Sequence, residues 1–280
     1  MVSKETPNFV VKESIVDAKI GQLVFANPTR RHALSTDLLN ALTEGLIKFS
    51  AQGLPVVVLT SGAGQEVWSA GFDIGEMVHD RDPLAHGKPL ERFLHHVRSY
   101  PGVVIAMVSG SVWGGAVDLI MSCDLVIADR RAKFSITPAN IGLPYTTSGL
   151  LRFMNNLPIH VLKEMFFCAK TLDAEQATHF GVINQLVDRE NLEVTTLDVA
   201  RNIARKAPMA VQAIKEQLRI LEDFQPMPVH TMERVAELRR TVCESEDFTE
   251  GLEAFLTRRP PKFGNASGIE ADDLASDIKP

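Results

Sequence analysis

Two short stretches carry the residues that could do chemistry in this chain of 280 residues: "SAGFDI" at 69–74 and "GSVWGGAVDLIMSCD" at 110–124. Each places glycine at a turn that runs into a helix-like segment. Glycine lets the backbone approach a ligand closely and adopt conformations closed to other residues, and the start of a helix leaves N–H groups without intrahelical partners. Two such N–H groups converging on one point stabilise negative charge developing on an oxygen. The second stretch adds a single carboxylate, Asp118, inside an apolar run. Asp118 has two readings: a proton-transfer group, or a first-turn acid interacting with the helix dipole and nearby N–H groups.

The elements that must position these turns follow a repeating order. "NFVVKES", "IVDAKI" and "QLVFAN" are short β-rich runs that predict a meander of strands. "STDLLNALTEGLIKFSAQG" opens on a cap signal, repeats apolar residues at helical spacing and stops at Gly53. "PVVVLT", "GVVIAMVSG" and "DLVIAD" read as buried strands, each followed by a loop rich in small residues and then helix. Strand, glycine-bearing loop and helix in recurrence predict an α/β architecture, in which ligands sit at strand ends. Beyond about residue 145 the chain is mainly helical, with "INQLVD" strand-like and long helices near 190–206, 208–222, 229–244 and 246–257. Residues 1–190 form the core with the site, 191–264 a C-terminal helical region, and 265–280 a tail with few large apolar groups, expected to be disordered.

Composition excludes several classes. A formal charge of −6 does not suit a protein that coats nucleic acid or an anionic membrane. The first residues lack a signal core and no window reaches membrane-spanning length, so a cytoplasmic location is expected. Cys123, Cys168 and Cys243 are too few and too scattered for a disulfide framework or a metal site, and are expected to be buried thiols. His95 and His96 are helix neighbours that point apart, so no metal is expected there. "GAGQEV" at 62–67 lacks the rest of a dinucleotide fingerprint, and no phosphate-binding loop motif occurs.

The two glycine turns, with "RRHALS" at 30–35 and "EGLEAFLTRRPPKF" at 250–263, resemble the crotonase family, the enoyl-CoA hydratase/isomerase superfamily, from about residue 8 to 264. The resemblance implies a crotonase-like spiral of ββα units with a C-terminal helical trimerisation region. It implies a thioester oxygen held by the N–H groups of Phe72 and Gly115, and a coenzyme A groove lined by Arg31, Ala33, Leu34, Ala70, Asp73, Ile74 and Gly114, with Phe255 and Arg258 approaching from the C-terminal region. It implies an acyl-CoA substrate, no separate cofactor because coenzyme A is part of that substrate, and a homotrimer or a hexamer. Coenzyme A is a polyphosphate, and Arg30, Arg31, Arg258, Arg259 and Lys262 supply positive charge near two walls of the implied groove.

Hydration across a double bond uses one group to activate water and another to handle the proton. By the resemblance, the first acid position falls on Asp118 and the second on Pro138, which cannot exchange a proton. "FSITPANIGLPY" at 134–145, "GSVWGG", "RDPL" at 81–84 and "CESEDFTEGLEAFL" resemble instead the decarboxylases of this superfamily. The implied reaction is cofactor-independent loss of carbon dioxide from a malonyl-type thioester, methylmalonyl-CoA to propionyl-CoA, through an enolate held by backbone donors. Electrons come from the breaking carbon–carbon bond, so no base is needed. Tyr145 would orient the departing carboxylate, Thr137 would contact it or deliver a proton, and Phe72, Trp113, Ile136 and Leu143 would form apolar walls. Those decarboxylases carry histidine where this chain has Phe72. The alternatives are an enoyl-CoA hydratase or isomerase using Asp118, and a non-catalytic acyl-CoA-binding protein.

Overall fold

Continuous apolar runs make the central strands, because a strand covered on both faces has no polar side to show. The computed structural model describes residues 9–62, 66–79, 82, 85, 87–224 and 228–264. In chain order the strands are β1 (Val10–Val16), β2 (Ile20–Ala26), β3 (Val56–Ser61), β4 (Val67–Ser69), β5 (Val103–Val108), β6 (Ser111–Trp113), β7 (Leu125–Asp129), β8 (Lys133–Ser135), β9 (Leu172–Asp173) and β10 (Gln185–Val187). The α-helices are α1 (Thr36–Ala51), α2 (Pro89–Ser99), α3 (Gly115–Met121), α4 (Thr147–Asn156), α5 (Ile159–Cys168), α6 (Ala174–His179), α7 (Leu192–Ala204), α8 (Pro208–Asp223), α9 (Val229–Cys243) and α10 (Glu246–Leu256).

The strands form two sheets, in the orders β1-β2-β3-β5-β7-β10 and β4-β6-β8-β9. Strands β2, β3, β5, β7 and β10 run parallel, as do β4, β6 and β8, while β1 and β9 pair antiparallel at the edges. Each unit therefore gives one strand to the larger sheet and the next to the smaller: β3 then β4, β5 then β6, β7 then β8. This is the ββα spiral. It brings the loops after β4, β6 and β8 to the same side, where the glycine turns lie.

One core lies between the sheets and α1 to α6, around Trp68, Phe93, Phe134 and Phe153. A second, of Val56, Val58, Ile105 and Ile127, lies on the opposite face of the larger sheet and is closed by Leu192 and Ala200 of α7. Helix α8 contributes no buried residue. It is held largely by polar contacts, in which the Lys215 ammonium donates to the Gly102 carbonyl at 2.9 Å and to Asp124 at 2.7 Å. Helix α10 is capped by Ser245 and packs against residues 138–141, and so forms a wall next to the site.

Three expectations change. The N-terminal runs make two strands rather than a three-stranded meander, because Asp17 and Ala18 adopt left-handed conformations and turn the chain between β1 and β2. Of the cysteines only Cys243 is buried; Cys123 is half-buried and Cys168, at the end of α5, is exposed. The tail at 265–280 lies outside the described residues.

Candidate functional site

The segment 31–34 is a template on which 69–73 is laid. The Ala70 N–H donates to the Arg31 carbonyl at 3.0 Å, the Leu34 N–H to the Gly71 carbonyl at 2.8 Å, and the Asp73 N–H to the Leu34 carbonyl at 3.1 Å. The Ser69 hydroxyl donates to the His32 carbonyl at 2.7 Å and accepts from the Gly71 N–H at 3.2 Å. Phe72 and Leu34 form a parallel bridge in which the bonds are made by the residues on either side of Phe72. The Phe72 N–H takes no part in them and is left to point elsewhere.

The second turn meets the first backbone to backbone. Gly71 has φ +87°, and a Cβ there would sit 2.5 Å from the Trp113 carbonyl oxygen and 3.2 Å from the Gly115 nitrogen. A Cβ on Gly115 would sit 3.5 Å from the Phe72 nitrogen. At Gly71 only glycine lets the two segments approach so closely. Gly115 is the first residue of α3, so its N–H has no intrahelical acceptor. The two donors expected from the sequence are thus neighbours.

Both open onto a cavity of about 60 Å³ lined by Ala70, Phe72, Ile74, Met77, Gly114, Gly115, Thr137, Pro138, Ile141, Leu143 and Tyr145. No carboxylate, amine or imidazole is among these residues, and only Thr137 and Tyr145 carry a hydroxyl. Two of the expected walls are elsewhere. Trp113 donates its indole N–H to the Ser111 hydroxyl, and Ile136 is fully buried in the core. Ile74, Met77 and Ile141 line the cavity in their place. Pro138, the residue at the second acid position, is part of the wall.

Asp118 is not among the lining residues. It is buried in the first turn of α3, where Arg152 donates from Nε at 2.7 Å to one oxygen and from Nη2 at 2.9 Å to the other. The Tyr145 hydroxyl donates to Asp118 at 3.1 Å. Arg152 also reaches Glu91 of α2 at 2.8 Å, and the Thr146 hydroxyl donates to Glu91 at 3.2 Å. Burial alone lowers the Arg152 pKa, but the hydrogen bonds and charges of Asp118 and then Glu91 outweigh it and the net shift is upward. Burial, then the charge of Asp118, raises the Tyr145 phenol well above its ordinary range. Arg152 and Glu91 were not anticipated. The signal was a lone cation in the apolar run "LLRFM", which requires a buried partner.

The expected coenzyme A residues divide. Ala70, Ile74 and Gly114 line the cavity, and Ala33 and Leu34 are buried in the 31–34 segment beside it. Asp73 is buried and ion-paired to Arg30, so Arg30 is taken. Arg259 is likewise held by Glu250, at 2.5 and 2.7 Å, and the Lys262 N–H donates to Glu250 at 2.7 Å. Arg259 first, then the Lys262 N–H, lowers the Glu250 pKa to about 2. Arg31, at φ +51°, and Arg258, at φ +55°, are exposed and have no ion pair among the described residues. Phe255 is about half exposed on α10.

Comparison with known proteins fits this geometry. The model of the enoyl-CoA hydratase/isomerase family matches residues 16–266. Methylmalonyl-CoA decarboxylase of Escherichia coli (strain K12) is 38% identical over 246 residues, which cover 88% of this chain and 94% of that protein. Carnitinyl-CoA dehydratase of Salmonella arizonae is 30% identical over 226 residues, covering 80% of this chain and 87% of that protein. A solved methylmalonyl-CoA decarboxylase in complex with 2-nitronate-propionyl-CoA superposes with a TM-score of 0.88 at 36% identity, covering 91% of this chain and 98% of its own. Of the stretches that carried the resemblance, "RDPL" lies mostly outside the described residues. The chain belongs to the enoyl-CoA hydratase/isomerase, or crotonase, family.

Proposed function

We propose that the chain is an acyl-CoA decarboxylase that converts methylmalonyl-CoA to propionyl-CoA and carbon dioxide, without a separate cofactor. The observation that carries this reading is a cavity lined by Phe72 and Gly115, whose backbones are neighbours, with no carboxylate, amine or imidazole among its lining residues. Hydration and double-bond isomerisation must move a proton off carbon or water. Decarboxylation takes its electron pair from the breaking carbon–carbon bond. The family's decarboxylase relatives, similar over nearly the whole chain, support the same reading.

In the proposed reaction the thioester oxygen accepts hydrogen bonds from the Phe72 and Gly115 N–H groups. The bond from Cα to the carboxylate breaks, its electrons enter the thioester as an enolate, and carbon dioxide leaves. Loss of one such donor costs about 3 kcal/mol of transition-state stabilisation. Phe72, Ile74, Met77, Ile141 and Leu143 surround the reacting carbons with apolar surface, which favours the diffuse enolate over the localised carboxylate. The enolate then takes one proton at Cα, and Thr137 is the hydroxyl we assign to deliver it.

Tyr145 holds its proton on Asp118 before substrate binds. We assign it to turn that proton to the substrate carboxylate, since Asp118 keeps both bonds from Arg152. Asp118 is then a positioning residue, and the hydratase reading, which needs it free, is disfavoured. Arg31 and Arg258 are the cations we assign to the coenzyme A phosphates, with Phe255 beside them.

The proposed assembly is a homotrimer or a pair of trimers, in the cytoplasm. Its supporting observation is α8, whose Met209, Leu218 and Leu221, with Phe224 at its C-cap, are exposed apolar side chains. No helix among the described residues is long and apolar enough to cross a membrane. The test is a panel of methylmalonyl-CoA, ethylmalonyl-CoA and crotonyl-CoA with purified protein. Carbon dioxide and a shortened thioester from the first is the expected result, and hydration of crotonyl-CoA without carbon dioxide release overturns the proposal. Tyr145→Phe should lower turnover far more than acyl-CoA binding.

A further inference from the structure

The turn that templates the Phe72 donor is itself closed by an imidazole. The His32 N–H donates to the Asn27 carbonyl at 2.7 Å, and the Asn27 N–H donates back to His32 Nδ1 at 2.9 Å. His32 stands at φ +55° and is almost fully buried. Its ring lies edge-on to Phe25, and a Cβ at Gly62 would sit 3.7 Å from its Cε1. The second ring nitrogen, Nε2, is buried with no hydrogen-bond partner. A buried donor left unmet is uncommon and costly, so the ring is there for its other nitrogen.

Nδ1 can accept only if it carries no proton, which puts the proton on Nε2 and keeps the ring neutral. A protonated Nδ1 would face the Asn27 N–H, donor against donor. From this clamp the path to the site is short. The His32 carbonyl accepts from Ser69, Ser69 accepts from the Gly71 N–H, and the flanking Arg31 and Leu34 bind Ala70, Gly71 and Asp73.

We propose that His32 is a positioning residue for the reaction: as a neutral acceptor for the Asn27 N–H, it fixes the 27–34 turn in the shape that places the Phe72 N–H beside Gly115. The proposal rests on the reading of Phe72 N–H as the donor to the thioester. Its consequence is an acid limit on turnover that belongs to no group in the cavity. Burial lowers the His32 pKa from its ordinary value. Among the described residues, the Phe25 ring and the Asn27 N–H face the ring and Gly62 lies close to it; the charged neighbours in sequence, Arg30 and Arg31, are exposed, and Arg30 is paired with Asp73. No charged side chain among the described residues adds to the shift. The folded state thus binds the proton less well than the unfolded chain. The clamp is intact above about pH 6.5, the ordinary histidine value, and is lost as pH falls from there through the folded value.

The test compares His32→Asn, whose amide oxygen can replace Nδ1 as acceptor but cannot titrate, with His32→Leu, which has no acceptor. Turnover of methylmalonyl-CoA is followed from about pH 5 to 8, together with hydrogen exchange of the amides at 70–73. His32→Leu is expected to lose about tenfold or more in kcat at pH 7.5 and to exchange faster at 70–73, with the strands of the larger sheet unchanged. His32→Asn is expected to keep kcat within about threefold and to lose the acid limb. Wild-type kcat and exchange in His32→Leu, or an unaltered acid limb in His32→Asn, overturns the proposal. Should His32→Leu fail to fold, the acid limbs of wild type and His32→Asn decide alone. Should the wild type prove inactive on methylmalonyl-CoA, the exchange at 70–73 of wild type and His32→Asn, compared across the same pH range, still decides: faster exchange of the wild type alone at low pH supports the clamp, and identical profiles overturn it.

Discussion

Arg152 closes on both oxygens of Asp118, at 2.7 and 2.9 Å, and Tyr145 adds a third bond to the same carboxylate at 3.1 Å. The acid that the sequence offers most prominently is therefore occupied. Removing the cation strands a buried charge, which costs about 3–5 kcal/mol. Arg152→Met should lower unfolding stability by that amount in a denaturant titration. Asp118→Asn keeps a polar partner for Tyr145, and should cost about 1–3 kcal/mol while retaining decarboxylation within about tenfold. Turnover abolished in Asp118→Asn at unchanged stability would instead give Asp118 a direct part in the chemistry.

Gly115→Ala places a methyl 3.5 Å from the Phe72 nitrogen and 2.9 Å from Leu90 Cδ2. The leucine tip can move, but the approach to the Phe72 N–H is crowded. The expected result is a folded protein whose kcat falls about 100-fold, with a smaller change in acyl-CoA binding by calorimetry. Gly71→Ala is different, because φ +87° and a 2.5 Å approach to the Trp113 carbonyl leave no room. That variant should lose stability as well as activity.

With no ionisable base lining the cavity and the Tyr145 phenol held well above its ordinary range by burial and then by Asp118, turnover has no alkaline limb from these groups. The kcat profile should be level between about pH 7 and 9. A bell-shaped profile in that window would reveal a titrating acid and base.

Phe72 lines the cavity, and in the proposed reaction its backbone N–H is one of the two donors. Phe72→Ala keeps the donor and enlarges the space. The ratio of kcat/KM for ethylmalonyl-CoA over methylmalonyl-CoA should rise by about tenfold or more, the discrimination that a methylene supplies in an apolar pocket. An unchanged ratio would show that the ring does not set the size of the substrate.

The parts of the site that the sequence revealed are those where local chemistry is unusual on its own terms. Gly71 marks a backbone that must touch the next turn, Gly114 marks a turn at φ +51°, and Pro138 marks a position that cannot transfer a proton. The buried strands and the four C-terminal helices were legible from periodicity to within about two residues. Long-range pairing was not. Arg152 and Glu91 lie 61 residues apart in sequence, on α4 and α2, and nothing local in either says that they pair or that Arg152 also reaches Asp118. Trp113 and Ile136 were read as walls, yet neither lines the cavity: the Trp113 indole bonds Ser111, and Ile136 is fully buried in the core. The turn at Asp17 and Ala18 was missed because left-handed backbone there carries no glycine.

Base-free decarboxylation is tested most directly by running the reaction in deuterium oxide and weighing the product. Methylmalonyl-CoA should yield carbon dioxide and propionyl-CoA carrying one solvent deuteron at Cα, the one taken by the enolate, after correction for enzyme-free exchange. Propionyl-CoA with two deuterons at Cα would reveal a base that removes carbon-bound protons, and absence of carbon dioxide would remove the reaction itself; either result contradicts a site built only to hold the enolate.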